Sequence, residues 1–125
     1  YISMNIGIIG DGKHSKRIQK ILKKKYKFFI YNPKRPSYID NNKLKFLQKC
    51  NIIFILSPNQ SHFYYINLLK KNRYIFCEKP PVGSLKELET LKKKRNNEKI
   101  FFNFNKRYSY FSKIIQDRKK YKLFY

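Results

Sequence analysis

Apolar residues along this chain come in short runs, and between the runs they recur at helical spacing. Met4–Ile9 is apolar and β-branched and breaks at Gly10, which predicts a first strand. From Lys13 to Lys24 the residues Ile18, Ile21 and Leu22 share one helical face, with lysines on the other. Lys27–Tyr31 predicts a second strand, ended by the turn pair Asn32-Pro33. Ile39–Gln48 is a weak, short helix carrying Leu44 and Leu47. Ile52–Leu56 is a continuous apolar run, the pattern of a strand buried on both faces of a parallel sheet. Ser61 is placed to cap a helix reaching about Asn72, with Tyr65, Leu68 and Leu69 on one side. Tyr74–Cys77 reads as a fourth strand. Ser84 and Glu87 match a capping box, after which Leu85, Leu88 and Leu91 trace a stripe to about Arg95. Ile100–Phe104 is a fifth strand and Ser109–Gln116 a last helix.

Strand and helix alternating over short connections predict an α/β fold, a doubly wound parallel sheet with helices on both faces. A length of 125 residues allows one domain. We expect it over residues 1–120, with 121–125 as the opening of a second domain that stops short. No apolar run approaches the roughly 20 residues of a spanning helix, and no secretion signal stands at the N-terminus, so the chain reads as cytoplasmic. Cys50 and Cys77 fit no metal-ligand spacing and lie in apolar surroundings, so we expect no metal and two reduced thiols acting as small hydrophobes.

A net charge of +23 raises the alternative of a basic module for nucleic acid or another polyanion. Its lysines are spread along the chain rather than gathered in a tail, and they accompany Asn, Ile, Phe and Tyr, a set that AT-rich coding favours. No helix-turn-helix or zinc-finger spacing is present, and the aromatics mostly follow strand or helix periods rather than forming a stacking platform. Self-repulsion of this size predicts a fold whose stability rises with salt.

The first strand runs directly into Gly10-Asp11-Gly12-Lys13-His14-Ser15 and then a helix. This matches the Rossmann dinucleotide fingerprint G-x-G-x-x-G/A except for serine at the third small position, the alternative being an ordinary Gly-rich strand–helix turn. The first glycine permits the tight turn, and the second lets a pyrophosphate approach the backbone. The helix start supplies free N–H groups and a partial positive charge. Gly10, Gly12, Lys13 and His14 are therefore candidate cofactor contacts. The adenine ribose should meet the residue ending the second strand, which is Asn32 and not an acid, followed at once by Lys34 and Arg35. Loss of the carboxylate and gain of a guanidinium favour the 2′-phosphate of NADP over NAD, unless these are two more solvated charges.

Ser57-Pro58-Asn59-Gln60-Ser61-His62 follows the third strand and Glu78-Lys79-Pro80 the fourth, both where ligands bind in such sheets. With Gly7-Ile8-Ile9-Gly10-Asp11-Gly12, Cys77 and Asn103-Phe104-Asn105-Lys106-Arg107, these segments resemble the N-terminal domain of the Gfo/Idh/MocA oxidoreductases. The resemblance implies an NAD(P)-dependent enzyme moving a hydride to or from a sugar, nucleotide-sugar or cyclic polyol. It implies that Ser57, Pro58, Asn59 and His62 line the cofactor near the nicotinamide ribose. Glu78 and Lys79 would reach the nicotinamide and substrate, and Arg107 would contact substrate or cofactor. Lys79 would be the catalytic residue, its cation stabilising a developing alkoxide. Family members continue into a larger α/β domain that completes the proton relay and often forms an oligomer. On that basis the present chain should bind a dinucleotide and turn over substrate poorly or not at all. A dinucleotide-sensing domain without catalysis is the remaining alternative.

Overall fold

In a computed structural model, residues 4–32, 41–69, 73–94 and 99–103 are described. Five strands form one parallel sheet: β1 (Ile6–Ile9), β2 (Phe28–Tyr31), β3 (Ile52–Ile55), β4 (Tyr74–Glu78) and β5 (Ile100–Asn103). Helices α1 (Lys13–Leu22), α2 (Asn41–Gln48), α3 (His62–Leu68) and α4 (Leu85–Lys94) connect them in turn. The strand order is β2-β1-β3-β4-β5, every neighbouring pair parallel. The chain moves one way from β1 to β2 and the opposite way from β2 to β3 and onward. Because crossovers between parallel strands are right-handed, that reversal puts α1 on one face and α2, α3 and α4 on the other. It also opens a crevice between the loops leaving β1 and β3, the topological switch point of the sheet.

Side chains alternate across the pleat, so each strand feeds both faces. Ile9, Tyr31, Ile53, Ile55, Ile75 and Cys77 point to the three-helix face and pack with Leu47, Tyr65, Ile66, Leu69 and Leu91 in one buried cluster. Arg73, just before β4, donates to the carbonyls of Leu47 (3.0 Å) and Gln48 (3.1 Å) and so satisfies the end of α2. Ile6 and Ile8 are buried on the other face, where Ile18 of α1 lies near Phe54.

Apart from the last helix, the expected elements are present, with ends moved by one or two positions, except that α3 stops at Leu68, where Leu69 turns extended, rather than reaching about Asn72. The predicted last helix and the residues after it lie outside the described residues. Three expectations of detail change. Leu85 and Ile21 are 79% and 68% exposed, so α4 reaches the core through Leu88 and Leu91, and α1 packs through Ile18 and Leu22. Ser61 does not cap α3 with its side chain, because its hydroxyl turns back to Ser57 and Pro58. The aromatics on the α1 side of the sheet form a stack after all. The rings of Phe54 and Phe76, and of Phe76 and Phe101, sit 5.2 Å apart at their centroids, with Phe76 and Phe101 37% and 48% exposed. Half of the capping box holds: the Glu87 amide donates to Ser84 Oγ (3.2 Å), while the Glu87 carboxylate accepts from the Gly83 amide (2.6 Å), one residue before the cap.

Cys50 and Cys77 are free and buried. Burial, with the Glu78 charge adding to it, pushes the Cys77 thiol up to about 12, and burial pushes the Tyr65 phenol up to about 12. Unfolding would restore ordinary values of 9.0 and 10.0, so unfolded chain loses these protons first as pH rises. The stability involved is complete below about pH 9 and drains away between there and about pH 12. A circular-dichroism titration should therefore show unfolding in that alkaline window, and a thiol reagent at neutral pH should label the native chain only after denaturant is added. No helix among the described residues is long and apolar enough to cross a membrane.

Candidate functional site

The site grows from the turn after β1. Gly10 adopts a positive φ of 101°, its amide donating to Tyr31 O (2.8 Å) at the end of β2. A Cβ on Gly10 would stand 2.7 Å from Leu56 O and 2.8 Å from Ser57 N, so the turn lies directly against the backbone leaving β3. Gly12 is the N-cap of α1 in extended conformation, without a side-chain cap, and a Cβ there would meet nothing within 4 Å. The first turn of α1 thus has no side-chain cap from Gly12 and carries no acidic residue, beside open space among the described residues. These features fit a pyrophosphate.

Ser15, the departure from the third small position, is fully buried and donates to Gly10 O (2.7 Å). The Gln19 amide donates to Ser15 Oγ (3.0 Å) and to Asp11 Oδ1 (2.8 Å), holding the turn's acidic side chain against α1. Serine therefore braces the turn, a role that glycine or alanine would leave vacant. Ser15→Ala is expected to cost about 1–2 kcal/mol, read from the denaturation midpoint, because Gly10 O would lose its buried donor.

At the carboxyl end of β4, Glu78 Oε1 lies 3.0 Å from His14 Nε2 and accepts from Asn103 Nδ2 at 2.6 Å. One carboxylate oxygen thereby joins the start of α1 to the ends of β4 and β5. His14, Ile18, Phe54, Phe76, Glu78 and Asn103 line an open cleft of about 210 Å³. Small-molecule sites usually span roughly 300–1,000 Å³, so this cleft suits one planar ring rather than a whole dinucleotide. Lys79 is exposed next to Glu78, followed by a cis Lys79-Pro80 bond.

Ser61 Oγ bonds Ser57 Oγ and Pro58 O, each at 2.7 Å, which folds the loop after β3 onto the start of α3. Pro58 and Asn59 are exposed on that loop. His62 is fully buried between this loop and the one after β4, with Nε2 2.8 Å from Ser57 O and Nδ1 2.7 Å from Pro80 O. Asn32 is exposed at the end of β2. Lys34, Arg35 and Arg107 lie outside the described residues.

The structure thus gathers Gly10, Gly12, Lys13, His14, Ser57, Pro58, Asn59, Glu78 and Lys79 around the carboxyl ends of the strands, with His62 beneath them. Sequence reasoning gave no role to Asn103, whose contact with Glu78 spans 25 residues, nor to Gln19 as the partner of Asp11. The signal for Asn103 was its position at the end of a strand beside the one that ends in Glu78. Among the described residues, no three His, Cys, Asp or Glu side chains gather as a metal site would.

A switch-point crevice flanked by an uncapped helix start and a glycine turn defines a Rossmann-type nucleotide-binding domain. The family profile described as "oxidoreductase family, NAD-binding Rossmann fold" matches residues 14–104, most of the chain. The chain belongs to this family, Gfo/Idh/MocA, and is an NAD-binding domain of oxidoreductase type. The match begins just past the glycine turn, so the reading of that turn rests on its geometry. Among solved structures, a dehydrogenase (MviM) from Clostridium difficile is similar at 20% identity and a TM-score of 0.64, over 92% of this chain and 44% of that one. An oxidoreductase from Sinorhizobium meliloti matches at 18% identity and a TM-score of 0.56, over 82% of this chain and 36% of that one. At these identities the likeness is one of fold, and this chain spans less than half of either protein's length. No curated protein matches the sequence.

Proposed function

We propose that this chain is the dinucleotide-binding half of an NAD(P)-dependent oxidoreductase that moves a hydride to or from a sugar, nucleotide-sugar or cyclic polyol. The observation that carries the reading is the uncapped start of α1 beside the empty space at Gly12, at the switch point of the sheet. In this reading the amides of α1 and Lys13 hold the pyrophosphate. Asn32, Lys34 and Arg35 meet the adenine ribose, with NADP preferred to NAD. Pro58 and Asn59 face the nicotinamide ribose, and Arg107 contacts substrate or cofactor. The nicotinamide supplies the hydride donor or acceptor. Lys79 contributes a cation beside the substrate oxygen, where it stabilises charge that develops as the carbon–hydrogen bond forms or breaks. The Glu78 carboxylate, anchored by Asn103 and His14, holds the neighbouring strand end in place.

In this reading residues 1–120 serve as the binding domain. Calorimetric titration with NADPH and NADH tests the proposal. Binding of either, tighter for NADPH, is expected; absence of binding at millimolar cofactor by folded protein overturns it.

The stack of Phe54 with the exposed Phe76 and Phe101, on a chain of net charge +23, favours a second reading, a single-stranded nucleic-acid surface. It predicts tight RNA or DNA binding with a steep inverse dependence on salt, whereas the dinucleotide should show a gentler one.

A further inference from the structure

His62 has no ring nitrogen left for a cofactor. Both of its nitrogens face backbone carbonyl oxygens, Ser57 O at 2.8 Å and Pro80 O at 2.7 Å, and the side chain is fully buried. Carbonyl oxygens only accept hydrogen bonds, so a ring nitrogen reaches its carbonyl as a donor, and the tautomer decides which nitrogen carries the proton. The two carbonyls are not neighbours on one loop. Ser57 opens the segment Ser57-Pro58-Asn59 after β3, and Pro80 directly follows Lys79 after β4. The first of these loops is already tied down, because Ser61 Oγ holds both Ser57 Oγ and Pro58 O. The second has a different footing. Glu78 is anchored by His14 and Asn103, yet Lys79 itself is exposed and rests on the residues that follow it.

We infer that His62 is a positioning residue: a buried imidazole strap that fixes the Lys79-Pro80 segment at a set distance from the Ser57–Asn59 loop. The inference rests on the reading that these loops flank a dinucleotide. It moves His62 from the wall of the site to its frame. Strapping the loop through a side chain on α3 holds the lysine relative to the cofactor loop without placing a polar group in the space the ligand would use. A shift of about 1 Å at a reacting group can cost on the order of 100-fold in rate, which gives such a strap its value.

Three variants separate the two contacts. In His62→Asn the amide nitrogen takes the place of Nδ1 and keeps a donor for Pro80 O. In His62→Gln it takes the place of Nε2 and keeps a donor for Ser57 O, and His62→Leu keeps neither. In the ligand-free chain, amide hydrogen exchange followed by NMR should accelerate at least tenfold at Asn59, Gln60 and Lys79 in the leucine variant, while amides within β3 and β4 stay protected. The asparagine variant should restore Lys79, and the glutamine variant should restore the Asn59 side. Should the leucine variant fail to fold, the asparagine–glutamine comparison carries the test.

With ligand, the strap predicts a split. NADPH or NADH should bind the leucine variant at least tenfold more weakly than wild type. ADP-ribose and its 2′-phosphate, which lack the nicotinamide, should change less than threefold. Equal losses for dinucleotide and fragment would make His62 a general packing residue and overturn the inference. Unchanged exchange at both loops overturns it whatever the wild type binds. A wild-type chain that binds no dinucleotide instead sinks the cofactor reading, and the exchange data still decide whether the loops are strapped.

Discussion

Gly12→Val should abolish dinucleotide binding while the chain remains folded. The backbone at Gly12 has φ −76° and ψ −175°, a conformation open to any residue, and a Cβ would meet no atom within 4 Å. Folding therefore loses little beyond the poorer capping preference of valine, about 1 kcal/mol. Binding loses far more, because the empty volume is where a pyrophosphate must come close to the first-turn amides of α1. A branched side chain there imposes a clash worth about 1–3 kcal/mol and also keeps the phosphates from the helix amides. Together these should weaken binding by roughly 100-fold or more. Thermal unfolding with and without NADPH gives the readout. Ligand should raise the wild-type midpoint by mass action and leave that of the variant where it was. A variant that folds normally and is stabilised by NADPH as much as wild type would move the phosphate site elsewhere.

The prediction depends on distinguishing two glycines that look alike in the sequence, and this marks how far local pattern reaches. Alternation and helical spacing revealed five strands, four of the connecting helices and a parallel sheet, because burial imposes those periods on any chain of this fold. The glycine turn and the Glu78-Lys79-Pro80 segment were legible because their chemistry is carried by adjacent residues. What stayed hidden depends on partners far along the chain. Nothing near Glu78 announces that His14, in the first helix, will meet it at 3.0 Å. His62 looked like a residue of the cofactor wall, since spacing cannot reveal that Pro80 O, 18 residues on, will take its Nδ1. The exposed rings of Phe76 and Phe101 show the same limit from the other side. A strand period establishes that a residue faces away from the core cluster, not what lies opposite. Serine at position 15 departs from the small residue the fingerprint calls for. In place it supplies the hydrogen bond that steadies Gly10 O, so the departure brings its own compensation.

Gly10 marks the opposite extreme from Gly12. Gly10→Ala should destabilise the fold severely, and its effect on binding should follow from that loss. Two independent penalties combine. A φ of 101° is a region L-residues rarely adopt, costing about 1–3 kcal/mol. The added Cβ would also fall 2.7 Å from Leu56 O and 2.8 Å from Leu56 C and Ser57 N. Those atoms are backbone, so no side chain can swing aside; the turn after β1 must pull away from the chain leaving β3. Such a movement strains the bond from the Gly10 amide to Tyr31 O and disturbs Ser15 beneath it. A total near 3 kcal/mol or more is expected, against the roughly 5–15 kcal/mol that holds an ordinary domain together. Urea denaturation of Gly10→Ala and Gly12→Ala side by side provides the check. A large drop in midpoint is expected for the first, and a change below about 1 kcal/mol for the second, where alanine only weakens the cap. Equal midpoints for the two variants would mean that the loops after β1 and β3 are not in contact as described. The crevice that defines the site would then have a different floor.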